Sequence, residues 1–342
     1  MAENSKSKEP EPTENIIIAA DHGRLDLVKA LLEGGADPDT VDEIGTSALH
    51  NAAKNGHWDI ARLLLEKNAS PRIEDGNRAT PLRLAVRAGH KEIVSLLLEC
   101  DPPTSETREI EMHSHVLICA AEGHAEILKL LLDYNAPTLS PPRQETALHV
   151  AAARGYHGVC ELLLKHEKTL TRSFWNRMVG PSLEVFAKDY AGNFPFAHAV
   201  ERGHAQTVEV FLRHYPELGK TCDRHKELLF HKAVRARNIE MVGIFLNHGT
   251  DIELKDHHGR RALHVAIISE YMRHIESPDM IKFLLEHGAL VDVKDNGGYT
   301  PETYSNNPKN RMILRNHAST HSKGNSTPIA PIASAPPPEY KA

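Results

Sequence analysis

Twenty-three histidines in 342 residues are enough to raise metal binding or acid–base catalysis as a first idea. Their placement argues against both. His50, His149 and His264 follow a leucine, and His231 follows a phenylalanine. His57, His90, His124 and His204 each follow a glycine. A side chain that returns to the same slot has a recurring structural task, here hydrogen bonding between turns and helix starts. His113-Ser114-His115 stands ahead of a helical segment, and His257-His258 sits beside Asp256 at a turn. Neighbouring side chains point apart on most backbones, so two adjacent histidines make a poor tetrahedral site. No His-Glu-x-x-His, Gly-rich phosphate loop or Gly-x-Ser-x-Gly occurs. Cys160 has histidines nearby but falls on a core position of a helix, where burial makes a thiol inert. The expectation is a protein with no catalytic site, no cofactor and no metal.

The elements that hold these residues repeat. Gly23, Gly56, Gly89, Gly123, Gly155 and Gly203 lie 33, 33, 34, 32 and 48 residues apart. A period near 33 denotes stacked supersecondary units rather than one globular core. Each unit reads alike. Thr80 can accept a hydrogen bond at a helix N-cap, and Pro81 suits the first helical position. A short helix ends at a glycine such as Gly89, which tolerates a left-handed conformation. A second helix follows, with Ile93, Val94, Leu96, Leu97 and Leu98 on a stripe too wide for one face. It must touch both its own partner helix and a neighbouring unit. A turn such as Gly34 to Asp39 and an extended piece ending at Gly45 then form a β-turn finger.

Composition bounds the rest. The chain is 40% hydrophobic and 25% charged, as soluble proteins are. No apolar stretch approaches the roughly 20 residues of a membrane helix. A net charge of −6 argues against general nucleic-acid binding. The polar start argues against secretion. Cys100, Cys119, Cys160 and Cys222 show no close pairing, and three of them sit inside or beside helical segments, so reduced core thiols are the reading, which points to cytoplasm or nucleus. The expected organisation is a disordered segment over 1–14, a solenoid over 15–318, and a disordered Pro/Ser-rich tail over 319–342. Two irregularities break the period. An insertion at about 168–186 carries Phe174, Trp175, Met178, Val185 and Phe186, and about six extra residues at 269–277 lengthen the turn between two helices.

Thr80-Pro81-Leu82, Leu49-His50, Leu148-His149 and Leu263-His264, with the alanine pairs and Gly-His that follow, resemble the ankyrin repeat signature. So do Leu31-Leu32-Glu33-Gly34-Gly35-Ala36-Asp37 and Leu284 to Ala289. The resemblance covers eight units and a degenerate ninth at Thr300 to Tyr304. It implies an all-α fold with β-turn fingers, an ankyrin-repeat solenoid of stacked helix-turn-helix units. It also implies a protein partner held by fingertips and first helices. The first unit has no finger before it, the sixth reads Phe194-Pro195-Phe196-Ala197, and the seventh has Arg237 where the turn glycine belongs.

On that surface the second half of the chain is richer in arginine, which pairs with carboxylates in two-pronged fashion. Arg154, Tyr190, Arg202, Arg235 and Arg260 are the candidate protein-binding residues, for an acidic or extended peptide. In the tail, Pro337, Pro338 and Tyr340 match the Pro-Pro-x-Tyr ligand of WW domains, a preformed extended helix with an aromatic anchor. Ser326-Thr327-Pro328 has the form of a proline-directed phosphorylation site. The expected function is a monomeric, non-enzymatic scaffold or adaptor that binds protein rather than nucleic acid or membrane. Its tail would recruit a WW-domain protein such as a ubiquitin ligase. The alternative is a transcription coregulator or inhibitor acting through protein contacts. An enzyme with an ankyrin accessory region lacks a segment outside the repeats long enough to carry catalysis.

Overall fold

The computed structural model describes residues 15–102, 106–138, 145–170, 184–273 and 278–321. These form two compact units. The first runs to Leu218 and includes Cys222–His225, and the second holds Gly219–Thr221 and everything from Lys226 on.

In the first unit six helix pairs follow one another: α1 (Ile16–Asp21) with α2 (Leu25–Glu33), α3 (Ala48–Asn55) with α4 (Trp58–Glu66), and α5 (Pro81–Ala88) with α6 (Lys91–Cys100). The series continues with α7 (Glu106–Glu122) and α8 (Ala125–Asp133), α9 (Ala147–Arg154) and α10 (His157–Leu170), and α11 (Pro195–Glu201) and α12 (Ala205–His214). The first helices pack α1 to α3 to α5 to α7 to α9 to α11, and the second helices form a parallel layer. Leucines explain the layering: Leu64, Leu97, Leu98, Leu128, Leu131 and Leu164 are all buried. Each such side chain contributes about 1.5–3 kcal/mol. The second unit holds α13 (Leu229–Arg235) with α14 (Ile239–Asn247), α15 (Ala262–Arg273) with α16 (Asp279–Glu286), and α17 (Pro301–Tyr304) with α18 (Pro308–His321). Here α15 packs on both α13 and α17. The described residues contain no strand, only isolated bridge residues such as the pair Val41 and Ser47.

Local chemistry sets the helix ends. Thr80 accepts from Arg83 N–H at 3.3 Å, with Pro81 at the first position. Gly56 closes α3 at φ +81°, and the His90 ring lies where a Cβ there would sit, 2.6 Å from its Cε1. Asp42 and Asp75 close fingers by accepting backbone N–H bonds two and four residues on, at 2.8–3.0 Å. Adjacent fingers join through Gly76 N–H to Ile44 O at 2.8 Å.

Several expectations need correction. His113 and His115 lie inside α7, which is 17 residues long instead of one short first helix. The extra residues of the eighth unit do not simply lengthen a turn, because α15 stays helical through Arg273. The helix hydrogen bonds continue past the usual stop, and no glycine interrupts them. Residues 168–170 extend α10, while Glu184–Phe186 form a 3-10 turn with Glu184 and Val185 buried. Cys100 is exposed at the end of α6, so it is no core thiol, whereas Cys119 and Cys160 are buried. Residues 1–14, Phe174, Trp175, Met178, Ser326-Thr327-Pro328 and the Pro337, Pro338 and Tyr340 motif lie outside the described residues.

Candidate protein-binding surface

The histidines come first, because they decide what the repeat surface has left to offer. Ser47 N–H donates to His50 Nδ1 at 3.1 Å. A nitrogen that accepts carries no proton, so the proton sits on Nε2, which donates to Ala79 O in the next finger at 2.9 Å. His149 repeats this with Thr146 and with Asn193 O at 3.1 Å. His264 reaches Tyr299 O at 3.2 Å, and His231 reaches Leu254 O at 3.1 Å. The second slot ties backwards. His57, His90, His124 and His204 bond to Asp21 O, Lys54 O, Arg87 O and Ala153 O in the preceding repeat, at 3.0–3.2 Å.

Burial favours the neutral ring at His50, His149, His231 and His264. It lowers the pKa of His50, His149 and His264 and brings His231 down to about 4. At His50, His149 and His264 both ring nitrogens are committed, which leaves neither a ligand nor a general base. Burial also pushes the Cys119 thiol up to about 12 and raises Cys160. His257 and His258 depart from expectation. Their ring centroids lie 3.9 Å apart, with the planes tilted by 45°, instead of the rings pointing away from each other. Among the described residues no group of three or more His, Cys, Asp or Glu is arranged to hold a metal ion.

Three of the five candidate binding residues belong to the first unit. Arg154 ends α9 and donates through Nη1 to Ala121 O. Arg202 caps α11 and is exposed. Since α9 and α11 pack side by side, the two arginines occupy equivalent positions one repeat apart, each just before a turn glycine. Tyr190 is 80% exposed at the sixth fingertip. The base of that finger is held from two sides. His198 Nε2 lies 2.8 Å from Asp189 Oδ2, and His149 bonds Asn193 O. Burial alone would raise the Asp189 carboxyl, but the Asn193 N–H and His198 outweigh it and hold it below the usual aspartate value. Near the finger, Phe186 packs edge-on to Phe194 and Tyr215, at 6.5 and 6.1 Å between ring centroids.

The other two candidates belong to the second unit, and each already holds a carboxylate. Arg235 Nη2 lies 2.6 Å from Glu227, and Arg260 Nε lies 2.9 Å from Asp256. Sequence reasoning did not single out His198. In Phe194-Pro195-Phe196-Ala197-His198 the histidine comes one residue later than the usual slot. One residue on a helix is a turn of about 100°, so it faces its own finger rather than the next.

Comparison with known proteins follows the same repeats. The family model described as Ankyrin repeats (3 copies) matches residues 16–107, 104–174 and 196–295. The potassium channel AKT2/3 of Arabidopsis thaliana is 28% identical over 166 residues, which are 48% of this chain and 18% of the channel. The match therefore spans less than a fifth of that relative's length. The human ASB11 ankyrin repeat domain is a similar solved structure, at 19% identity and a TM-score of 0.40. That likeness covers 81% of this chain and 99% of the domain.

Proposed function

We propose that this chain, which belongs to the ankyrin repeat family, is a non-enzymatic adaptor whose repeats grip a protein partner. Ankyrin repeats are protein–protein interaction modules, and the finer reading concerns which residues serve. One observation carries it: Arg202 is exposed, with no hydrogen bond or ion pair of its side chain among the described residues. It stands one repeat from Arg154, on the unit that presents Tyr190. Guanidinium groups and an exposed tyrosine are typical anchors for an acidic or extended peptide. Arg235 and Arg260 supply further charge, in exchange for Glu227 and Asp256. The tail adds a second recruitment element in Pro337, Pro338 and Tyr340, of the kind WW domains receive.

One affinity purification tests both parts. Arg202→Glu combined with Arg235→Glu removes the partners of the repeats, and Tyr340→Ala removes only WW-domain proteins. Undiminished capture by the folded double variant would refute the arginine assignment. Undiminished WW binding by Tyr340→Ala would refute the tail.

A further inference from the structure

The last described helix of the second unit, α18, carries charge that runs against that of the chain. The net charge is −6, yet no Asp or Glu occurs between Glu302 and Glu339. That stretch holds Lys309, Arg311, Arg315 and Lys323, and the first three lie on α18. The inner side of α18 is anchored. Leu314 and Asn310 are buried, and Asn310 donates to Glu270 of α15, which lies 3.5 Å from Arg237. The outer side presents Pro308, Lys309, Arg311, Met312, Arg315 and Asn316. A shallow groove of about 360 Å³ runs along it.

Both arginines are pinned through Nε, Arg311 to Ser305 O and Arg315 to Glu302, each at 2.7 Å. Pinning limits the side-chain freedom left to lose on binding. A terminal repeat needs only a polar outer face. Here Met312 is 64% exposed in the middle of the cations. A methionine is an adaptable apolar contact, and cations around it select negative charge.

We propose that the outer face of α18 docks an acidic amphipathic segment of another protein. Its carboxylates meet Lys309, Arg311 and Arg315, and an apolar side chain rests on Met312. A lipid surface fits less well, because one exposed methionine offers little apolar area to insert. The face shares no residue with the Arg154, Tyr190 and Arg202 set, so either reading can fail alone.

The probe is a labelled helix-forming peptide of about 14 residues, matched to α18, with glutamates beside a leucine stripe. A control peptide carries lysines instead. Binding to the full chain is followed by fluorescence anisotropy. The glutamate peptide binds saturably, the lysine peptide does not, and raising salt from about 50 to about 300 mM weakens binding. Met312→Glu lowers affinity about tenfold or more, while Met312→Leu retains it and shows that the face is intact. Circular dichroism melts confirm that both variants fold. Equal binding of both peptides, wild-type affinity in Met312→Glu, or no peptide binding would each overturn the proposal. So would retention on phosphatidylserine vesicles without peptide binding, or self-association that Met312→Glu abolishes.

Discussion

His231 shows how burial converts a residue of ordinary acid–base character into a structural one. Its ring is 1% exposed and its pKa falls from 6.5 to about 4, because burial disfavours the imidazolium. Between those values the unfolded chain holds a proton that the folded chain refuses. Stability therefore declines as pH drops below about 6.5 and levels off below about 4. His50, His149 and His264 shift in the same direction for the same first reason. In His231→Gln, the loss of stability between about pH 7 and about pH 4.5 shrinks by up to about 3 kcal/mol. Urea unfolding at a series of pH values reads this out, and an unchanged pH slope would count against the assignment. Arg237 shows the opposite exchange. It takes φ +60° in place of a glycine, at about 1–2 kcal/mol of backbone strain, and its guanidinium reaches Glu270.

At the level of elements, helix ends and turns carry the specificity. Two glycines with the same backbone make this measurable. Gly35 (φ +89°) has nothing within 4 Å of where a Cβ would be, whereas at Gly56 (φ +81°) a Cβ meets the His90 ring. Gly35→Ala should cost only the left-handed penalty of about 1 kcal/mol. Gly56→Ala should cost about 1–3 kcal/mol more, since the ring must move and loses Lys54 O. Chemical denaturation of the two variants gives the difference, and equal losses would show that the histidine is not a tie between repeats. The lengths of α7, α10 and α15 were less legible. Their extra turns show no capping residue or glycine to mark them in sequence, and what they pack against decides whether they stay helical.

For the molecule as a whole, a repeat array is a sum of neighbour contacts, so its ends matter out of proportion to their size. In the second unit α17 and α18 cover α15 and α16. Removing residues 301–342 uncovers the side of α16 that α18 packs on and strips Asn310 from the buried Glu270 carboxyl, which burial already raises. Burial of Leu314 and the bond to a charged group together contribute about 3–5 kcal/mol. The shortened chain should unfold at lower urea, by about that amount, and an unchanged midpoint would show that the last pair is ornamental.

The period near 33, the Thr-Pro and Ser caps, the glycine stops and the leucine stripes settle in sequence that the fold is a stack of helix pairs. These features act within a few residues, or recur until chance is excluded. The hydrogen-bonding role of the repeated histidines follows in the same way. What tertiary structure alone decided is whom each side chain meets. His198 turns to Asp189, the rings of His257 and His258 come together, Arg237 finds Glu270, and Met312 stays in solvent. These pairings join residues whose relative placement depends on how helices and turns are set in space, a matter of packing that spacing along the chain does not encode.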